Sequence, residues 1–159
     1  MAEDVHFKTA LTKAMRICSQ RELCFYDIET KLESWGVIKP DSHKILDILL
    51  KENFINEERY AKAFVKDKFN YNKWGKIKIV SHLKAKQIPA ATIAAALDAI
   101  DNDEYIGAIE ALLKSHKKTI KAKNDYELKA KLIRFGLSRG FESALLYELI
   151  GNIDCVSED

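Results

Sequence analysis

The chain has 159 residues, with 26 Lys+Arg against 24 Asp+Glu, a formal charge of +2, and 47% hydrophobic side chains. That balance belongs to a globular protein of one or two small domains and argues against a disordered chain or a fibre. Only 6 Gly and 2 Pro disfavour turn-dense sandwiches, barrels and glycine-rich nucleotide loops, which leaves long helices joined by short links.

Apolar residues recur at helical spacing through nearly the whole chain, and nine helices are expected, in order, over residues 5–18, 21–35, 42–52, 57–71, 74–87, 90–100, 103–122, 125–135 and 139–150. The first carries Phe7, Ala10 and Leu11 on one face. The second is opened by Ser19 with Glu22 at capping-box spacing and closed by Gly36 as a left-handed cap. Asp41 or Ser42 is the candidate N-cap of the third, and Asn56 that of the fourth, whose inner face begins Tyr60, Ala63, Phe64. The fifth ends on Gln87, where the second has glycine. The seventh begins Tyr105, Ala108, Ile109. The eighth opens with Asn124 and Glu127, a second capping-box spacing, and closes on Gly136 as the counterpart of Gly36.

These signals repeat. Ile28, Leu32, Trp35, Gly36, Val37, Leu46 and Leu49 return 100 residues later as Leu128, Leu132, Phe135, Gly136, Leu137, Leu146 and Leu149. Between them, Ile79, Leu83, Ile88, Leu97 and Ile100 form a middle copy. The reading is an all-α protein of three tandem three-helix repeats forming an elongated curved array, with repeats at residues 1–55, 56–101 and 102–152 and a short acidic tail at 153–159.

The near-neutral total conceals blocks. Residues 59–88 hold nine basic and one acidic side chain, and residues 114–139 hold nine and two, while 89–113 and 140–159 are acidic throughout. Basic blocks of helix length give faces that attract an anionic partner, carboxylate or phosphate alike. Trp74 and Tyr71 lie among the lysines of the first block, as stacking aromatics do in single-strand binders. Helical spacing reads Tyr60, Phe64 and Trp74 first as packing residues. The second block begins with Lys114, Lys117, Lys118, Lys121 and Lys123 at a helix end, where the dipole favours cations.

No window is apolar enough for a membrane span, and MAEDVHFKTA lacks a signal-peptide pattern, so a cytoplasmic protein is expected. Cys18, Cys24 and Cys155 form an odd set and read as reduced thiols. His6, His43, His82 and His116 are scattered, with no zinc spacing, Walker loop, dinucleotide fingerprint or nucleophile elbow. No enzyme activity, cofactor, metal or small-molecule substrate is expected.

The run from Asn56 to Pro89 resembles the RecX family of bacterial recombinase regulators. An acidic pair before Arg and an aromatic is followed by Ala-x-x-Phe-Val, a basic residue, a glycine and an apolar helix. Here these are Glu57, Glu58, Arg59, Tyr60, Ala61, Phe64, Val65, Lys68, Gly75, Ile79, Leu83 and Ile88. The family has three tandem three-helix repeats. The first repeat departs from it in being less basic, and Gln87 stands where glycine is common. The resemblance implies a protein that binds the RecA recombinase filament on single-stranded DNA and modulates, most often inhibiting, its recombinase, ATPase and co-protease activities. The basic residues that would meet the filament are Arg59, Lys62, Lys66, Lys68, Lys73, Lys76, Lys78, Lys84 and Lys86, continued by Lys129, Lys131 and Arg134. The alternative reading of the residues is a stand-alone helical DNA- or RNA-binding module.

Overall fold

Each helix closes where local chemistry stops it. The computed structural model describes residues 2–153, and their side chains from Val5 onward. The acidic tail expected at 153–159, with Cys155, lies outside them except for Ile153. The described residues form α1 (Ala2–Gln20), α2 (Phe25–Ser34), α3 (Lys39–Lys51), α4 (Glu57–Asn70), α5 (Lys76–Ala85), α6 (Ala90–Leu97), α7 (Asn102–Lys117), α8 (Asp125–Ser138) and α9 (Ser143–Gly151), with no strand among them. The nine expected helices are all present, and the protein is an all-α repeat fold.

Four helix ends share one device. A residue with positive φ is followed by an apolar residue whose N–H donates to the carbonyl five positions back. Gly36 (φ 77), Asn53 (φ 60), Gln87 (φ 60) and Gly140 (φ 88) take the left-handed position. Val37, Phe54, Ile88 and Phe141 make the bonds, to Leu32, Leu49, Leu83 and Gly136. Gln87 therefore does the work of Gly36, at the steric cost a Cβ carries there.

Several sequence expectations change. Ser19 does not cap α2: it lies in α1, and its hydroxyl donates to the Met15 carbonyl at 2.8 Å. Leu23 and Cys24 run on into the core, and the reciprocal contact falls at Asp27, whose carboxylate accepts from the Cys24 N–H. Asp41 and Ser42 lie inside α3, which starts at Lys39 with Pro40 in its first turn. Ser42 is buried. Gly136 is not the left-handed cap of α8. That helix runs on to Ser138, three residues beyond the expected end at 135, with Arg139 as its C-cap, so Gly140 takes the role, Leu137 turns outward to 46% exposure and Phe141 is buried instead. A Cβ on Gly136 would lie 2.4 Å from the buried Leu146 side chain, so this glycine makes room for a neighbouring helix. α7 ends at Lys117 and not near 122, because Lys114, Lys117, Lys118 and Lys121 would repel along one face. The Thr119 hydroxyl meets the terminal His116 carbonyl. Asn56 and Asn124 cap as expected, accepting from the N–H of Arg59 and of Glu127.

Two compact units divide the chain. The first runs to Phe64 and includes Leu83–Ala96; the second comprises Val65–His82 and the chain from Leu97 on. In the first, α1, α2 and α3 pack around Ala10, Ala14, Ile28, Leu32, Ile45 and Leu49. In the second, α8 packs on both α7 and α9, and Phe69, Ile79, Tyr105, Ile109, Leu132, Phe141 and Leu146 are buried. Leu32, Leu83 and Leu132, equivalent in the three copies, are each 0% exposed.

Candidate partner-binding surface

The first basic block forms the end of α4, the turn after it and α5, and its lysines are arranged by one aromatic residue. Lys73 adopts positive φ (58), and the Trp74 N–H returns to the Lys68 carbonyl at 3.0 Å. The indole of Trp74 has the Lys68 ammonium 5.0 Å and the Lys78 ammonium 4.6 Å from its centroid. The His82 ring lies 4.5 Å from it. The quadrupole of an indole attracts such cations, so Trp74 organises the lysines of two helices into one cluster. Lys66 and Lys73, in the same block, are exposed.

The turn is held from behind by the α8–α9 turn. The Gly75 N–H donates to the Arg139 carbonyl at 2.6 Å and the Ile77 N–H to the Gly140 carbonyl at 3.0 Å, while the Arg139 guanidinium donates to the Asn72 carbonyl at 3.1 Å. A Cβ on Gly75 would lie 2.3 Å from Gly140 backbone atoms, so the approach needs glycine. Tyr105 completes the clamp from below. Its hydroxyl accepts from the Lys76 N–H at 3.0 Å, filling an orphan donor of α5, and donates to Glu142 at 2.5 Å. Burial, reinforced by that carboxylate, pushes the Tyr105 phenol up. The Lys76 ammonium sits 4.6 Å from the phenol ring centroid.

In the first unit, Lys62 and Lys84 are exposed, but Arg59 and Lys86 are taken up by the fold. Arg59 donates to Glu22 at 2.6 Å and to the carbonyls of Asn53 and Phe54, closing the end of α3. Lys86 pairs with Asp27 at 2.5 Å and lies over the Tyr26 ring. The hydrogen bond to Asp27 raises the Lys86 pKa. Burial works to raise Asp27, but bonds from Lys86 and Cys24 outweigh it and leave the carboxyl below its ordinary value. Cys24 is fully buried, and burial pushes its thiol up to about 11, which leaves it unreactive at neutral pH.

The second basic block splits in the same manner. Lys131 bonds the Lys121 carbonyl at 2.6 Å and Glu127 at 3.1 Å, which holds the Glu127 carboxyl below its usual range. Arg134 is exposed on α8 and Lys129 half-buried there. Sequence reasoning singled out the lysines but missed Tyr105, Arg139 and Glu142, whose roles come from residues 29 to 67 positions away. The pairing of Gly75 with Gly140 was the available trace.

Taken together, the described residues define an all-helical repeat protein that displays a preformed cluster of cations on an aromatic support. Residues 56–97 match the family model for the second three-helix domain of RecX, and residues 103–150 the model for the third. "Regulatory protein RecX" of Herminiimonas arsenicoxydans is 30% identical over 129 residues, spanning 81% of this chain and 82% of that one. "Regulatory protein RecX" of Lactobacillus johnsonii is 25% identical over 94% of this chain, which spans only 55% of that protein's length. The crystal structure of RecX from Lactobacillus salivarius superposes with a TM-score of 0.81 at 18% identity, covering 96% of this chain and 99% of that one, and shows the shared fold. The chain belongs to the RecX family of regulatory proteins.

Proposed function

We propose that this chain is a non-catalytic cytoplasmic regulator that binds the RecA recombinase filament on single-stranded DNA and damps its recombinase, ATPase and co-protease activities. Family membership supplies the partner. The observation that carries the reading is the Lys68–Trp74–Lys78 cluster, clamped from behind by the α8–α9 turn, because a surface ordered before binding loses little entropy on meeting an anionic lattice. Lys66, Lys73 and Lys76 stand with it in the second unit, and Lys62 and Lys84 are proposed partner residues of the first, where Arg59 and Lys86 support the fold. Lys129, Lys131 and Arg134 are proposed partner contacts of the third repeat, in an array of repeats at 1–55, 56–101 and 102–152.

The test is DNA-dependent ATP hydrolysis by the cognate recombinase with the purified protein added below one-to-one ratio. Filament-end capping lowers hydrolysis there; no effect at any ratio refutes the reading. A salt titration on bare and on recombinase-coated DNA separates a filament partner from a DNA- or RNA-binding module. Phosphate binding collapses steeply with salt, whereas protein contacts leave a salt-tolerant component.

A further inference from the structure

Where the start of α2, the end of α3, the turn into α4 and the start of α6 meet, the first unit holds a pocket of about 560 Å³. Phe25, Leu50, Ile55 and Pro89 give it an apolar lining, and Glu57 and Glu58 bring two carboxylates to it. Leu50 is 49% exposed, a large apolar side chain left half in water. The volume lies within the range of about 300–1,000 Å³ that binding sites occupy.

Two other carboxylates of this unit, those of Glu22 and Asp27, are paired with Arg59 and Lys86. Glu57 and Glu58 differ. Among the described residues no hydrogen bond or ion pair takes up either carboxylate, and Glu57 Oε2 is closed off from solvent without a donor. Burial, with the Asp27 charge added, raises the Glu57 carboxyl. The dipole of α4 accounts for acidic residues in its first turn. It does not account for a carboxylate oxygen buried with no donor, which costs free energy until a cation meets it.

The lining decides which cation. A metal ion would gain nothing from Phe25, Leu50 and Pro89, and the described residues include no group of three side chains able to hold one. A guanidinium on an aliphatic stem uses the whole pocket, because its fork meets carboxylates while its methylenes lie along apolar surface.

We propose that this pocket docks an arginine of a protein partner, its guanidinium on Glu57 and Glu58 and its stem against Phe25, Leu50 and Pro89. The site takes the opposite charge to the Trp74 cluster, and its occupancy does not rest on the recombinase reading.

The test is an NMR titration of the isotope-labelled full chain with a short capped peptide, Ala-Leu-Arg-Leu-Ala, beside the same peptide carrying citrulline, the neutral isostere of arginine. The arginine peptide should shift the Leu50, Asn53 and Thr92 amides to saturation, since these residues line the pocket. Citrulline should weaken binding about tenfold, the loss of a charge-assisted contact, and Glu57→Gln with Glu58→Gln should cost about the same factor. Removing equal charge from exposed positions of α2, Glu29→Gln with Glu33→Gln, should change binding by less than about twofold. Leu50→Ala should weaken it about threefold, and should do so at high salt as well, where apolar contact and not charge holds the stem. Circular dichroism checks that each variant keeps its helices; Leu50→Ala, at an exposed position, keeps the pocket testable if the glutamine pair unfolds. The assignment is overturned by an unaltered chain that does not bind the arginine peptide, by shifts confined to other residues, or by citrulline binding equally well. It is equally overturned by full affinity in the Glu57/Glu58 or Leu50 variant, or by an equal loss in the Glu29/Glu33 variant. Putrescine binding as tightly as the peptide would also overturn it, by making the pocket a site for free polyamines. Recombinase ATP hydrolysis, followed on the unaltered protein, reports the filament reading separately: arginine-peptide binding here without inhibition sinks that reading and upholds this one.

Discussion

Glycine 136 and Leu146 share a space that holds only one of their side chains at full size. A methyl group on Gly136 would lie 2.4 and 2.8 Å from the Leu146 methyls, and Leu146 is fully buried. Gly136→Ala is therefore expected to destabilise by about 1–3 kcal/mol through overpacking. The cost should shrink in a Leu146→Ala background, where the space is vacant. Urea midpoints of the two single variants and the double variant check this; additive losses would place the strain elsewhere.

The Asp27–Lys86 pair permits a pH argument with a definite sign. Asp27 has a lowered pKa in the fold, so its contribution is present above the ordinary carboxyl value of 3.8 and is lost as pH falls through the folded pKa. Lys86 has a raised pKa, so its contribution is present below 10.5 and is lost as pH rises through the folded value. Because the lysine end is 38% exposed, screening reduces the pair's worth. Asp27→Asn should cost about 1–2 kcal/mol at neutral pH, mostly through the charged hydrogen bond it weakens. The gap should narrow in denaturation curves as pH falls below 3.8 and through the folded carboxyl value. A gap unchanged in acid would assign the loss to packing.

At the scale of the element, the turn between α4 and α5 is held by atoms that its own sequence does not contain. Tyr105→Phe keeps the ring between Phe69 and Phe141 but removes the hydroxyl from the Lys76 N–H and from Glu142. Two part-buried polar groups lose their partner, and a cost of about 1–3 kcal/mol is expected. Hydrogen exchange at Gly75–Ile77 should quicken more than at the α2–α3 turn. Equal exchange in the variant would show that the glycine contact alone holds the turn.

The helix repeats make a second prediction at this scale. Leu32, Leu83 and Leu132 are fully buried at equivalent positions, so Leu→Ala at each should cost roughly 2–5 kcal/mol. An unchanged melting temperature for Leu83→Ala would contradict the alignment of the copies. Leu137, aligned with Val37 and Ile88 but turned to solvent, should tolerate alanine with little loss.

Over the whole molecule, the proposed reading assigns binding to the basic charge blocks. Lys66, Lys73, Lys76, Lys78 and Lys84 changed together to Ala should weaken binding to recombinase-coated DNA while the helical signal persists, since Lys66, Lys73 and Lys84 are exposed and the ring contacts of the half-buried Lys76 and Lys78 are worth only about 0.5–2 kcal/mol each. The control set is Asp98, Asp103, Glu104 and Glu110, all exposed. Asp101 is left out because it caps α7 by accepting from the Glu104 N–H. An acidic set as damaging as the basic one would move the recognition to another face. No helix among the described residues is long and apolar enough to cross a membrane.

The amino-acid sequence by itself determined what depends on neighbours three to five residues apart: nine helices, the repeat of Leu32 in Leu83 and Leu132, the caps at Asn56 and Asn124, and the left-handed turns at Gly36 and Gln87. Those follow from 3.6-residue periodicity and local hydrogen bonding, which act before the chain has a tertiary structure. It also marked the basic stretches in which the candidate surface lies. Tertiary structure alone decided how each of those charges is spent. Arg59 looks like Lys62 in the sequence, yet Glu22, 37 residues away, takes it into the fold. Gly136 looks like Gly36, yet Leu146 gives it a different reason to be glycine, and one further turn of α8 hands the cap to Gly140. The lysines around Trp74 become a single cluster because Gly75 can touch Gly140 and Tyr105 can reach Lys76. Such contacts join residues distant along the chain, and a one-dimensional pattern carries no term for the space they share.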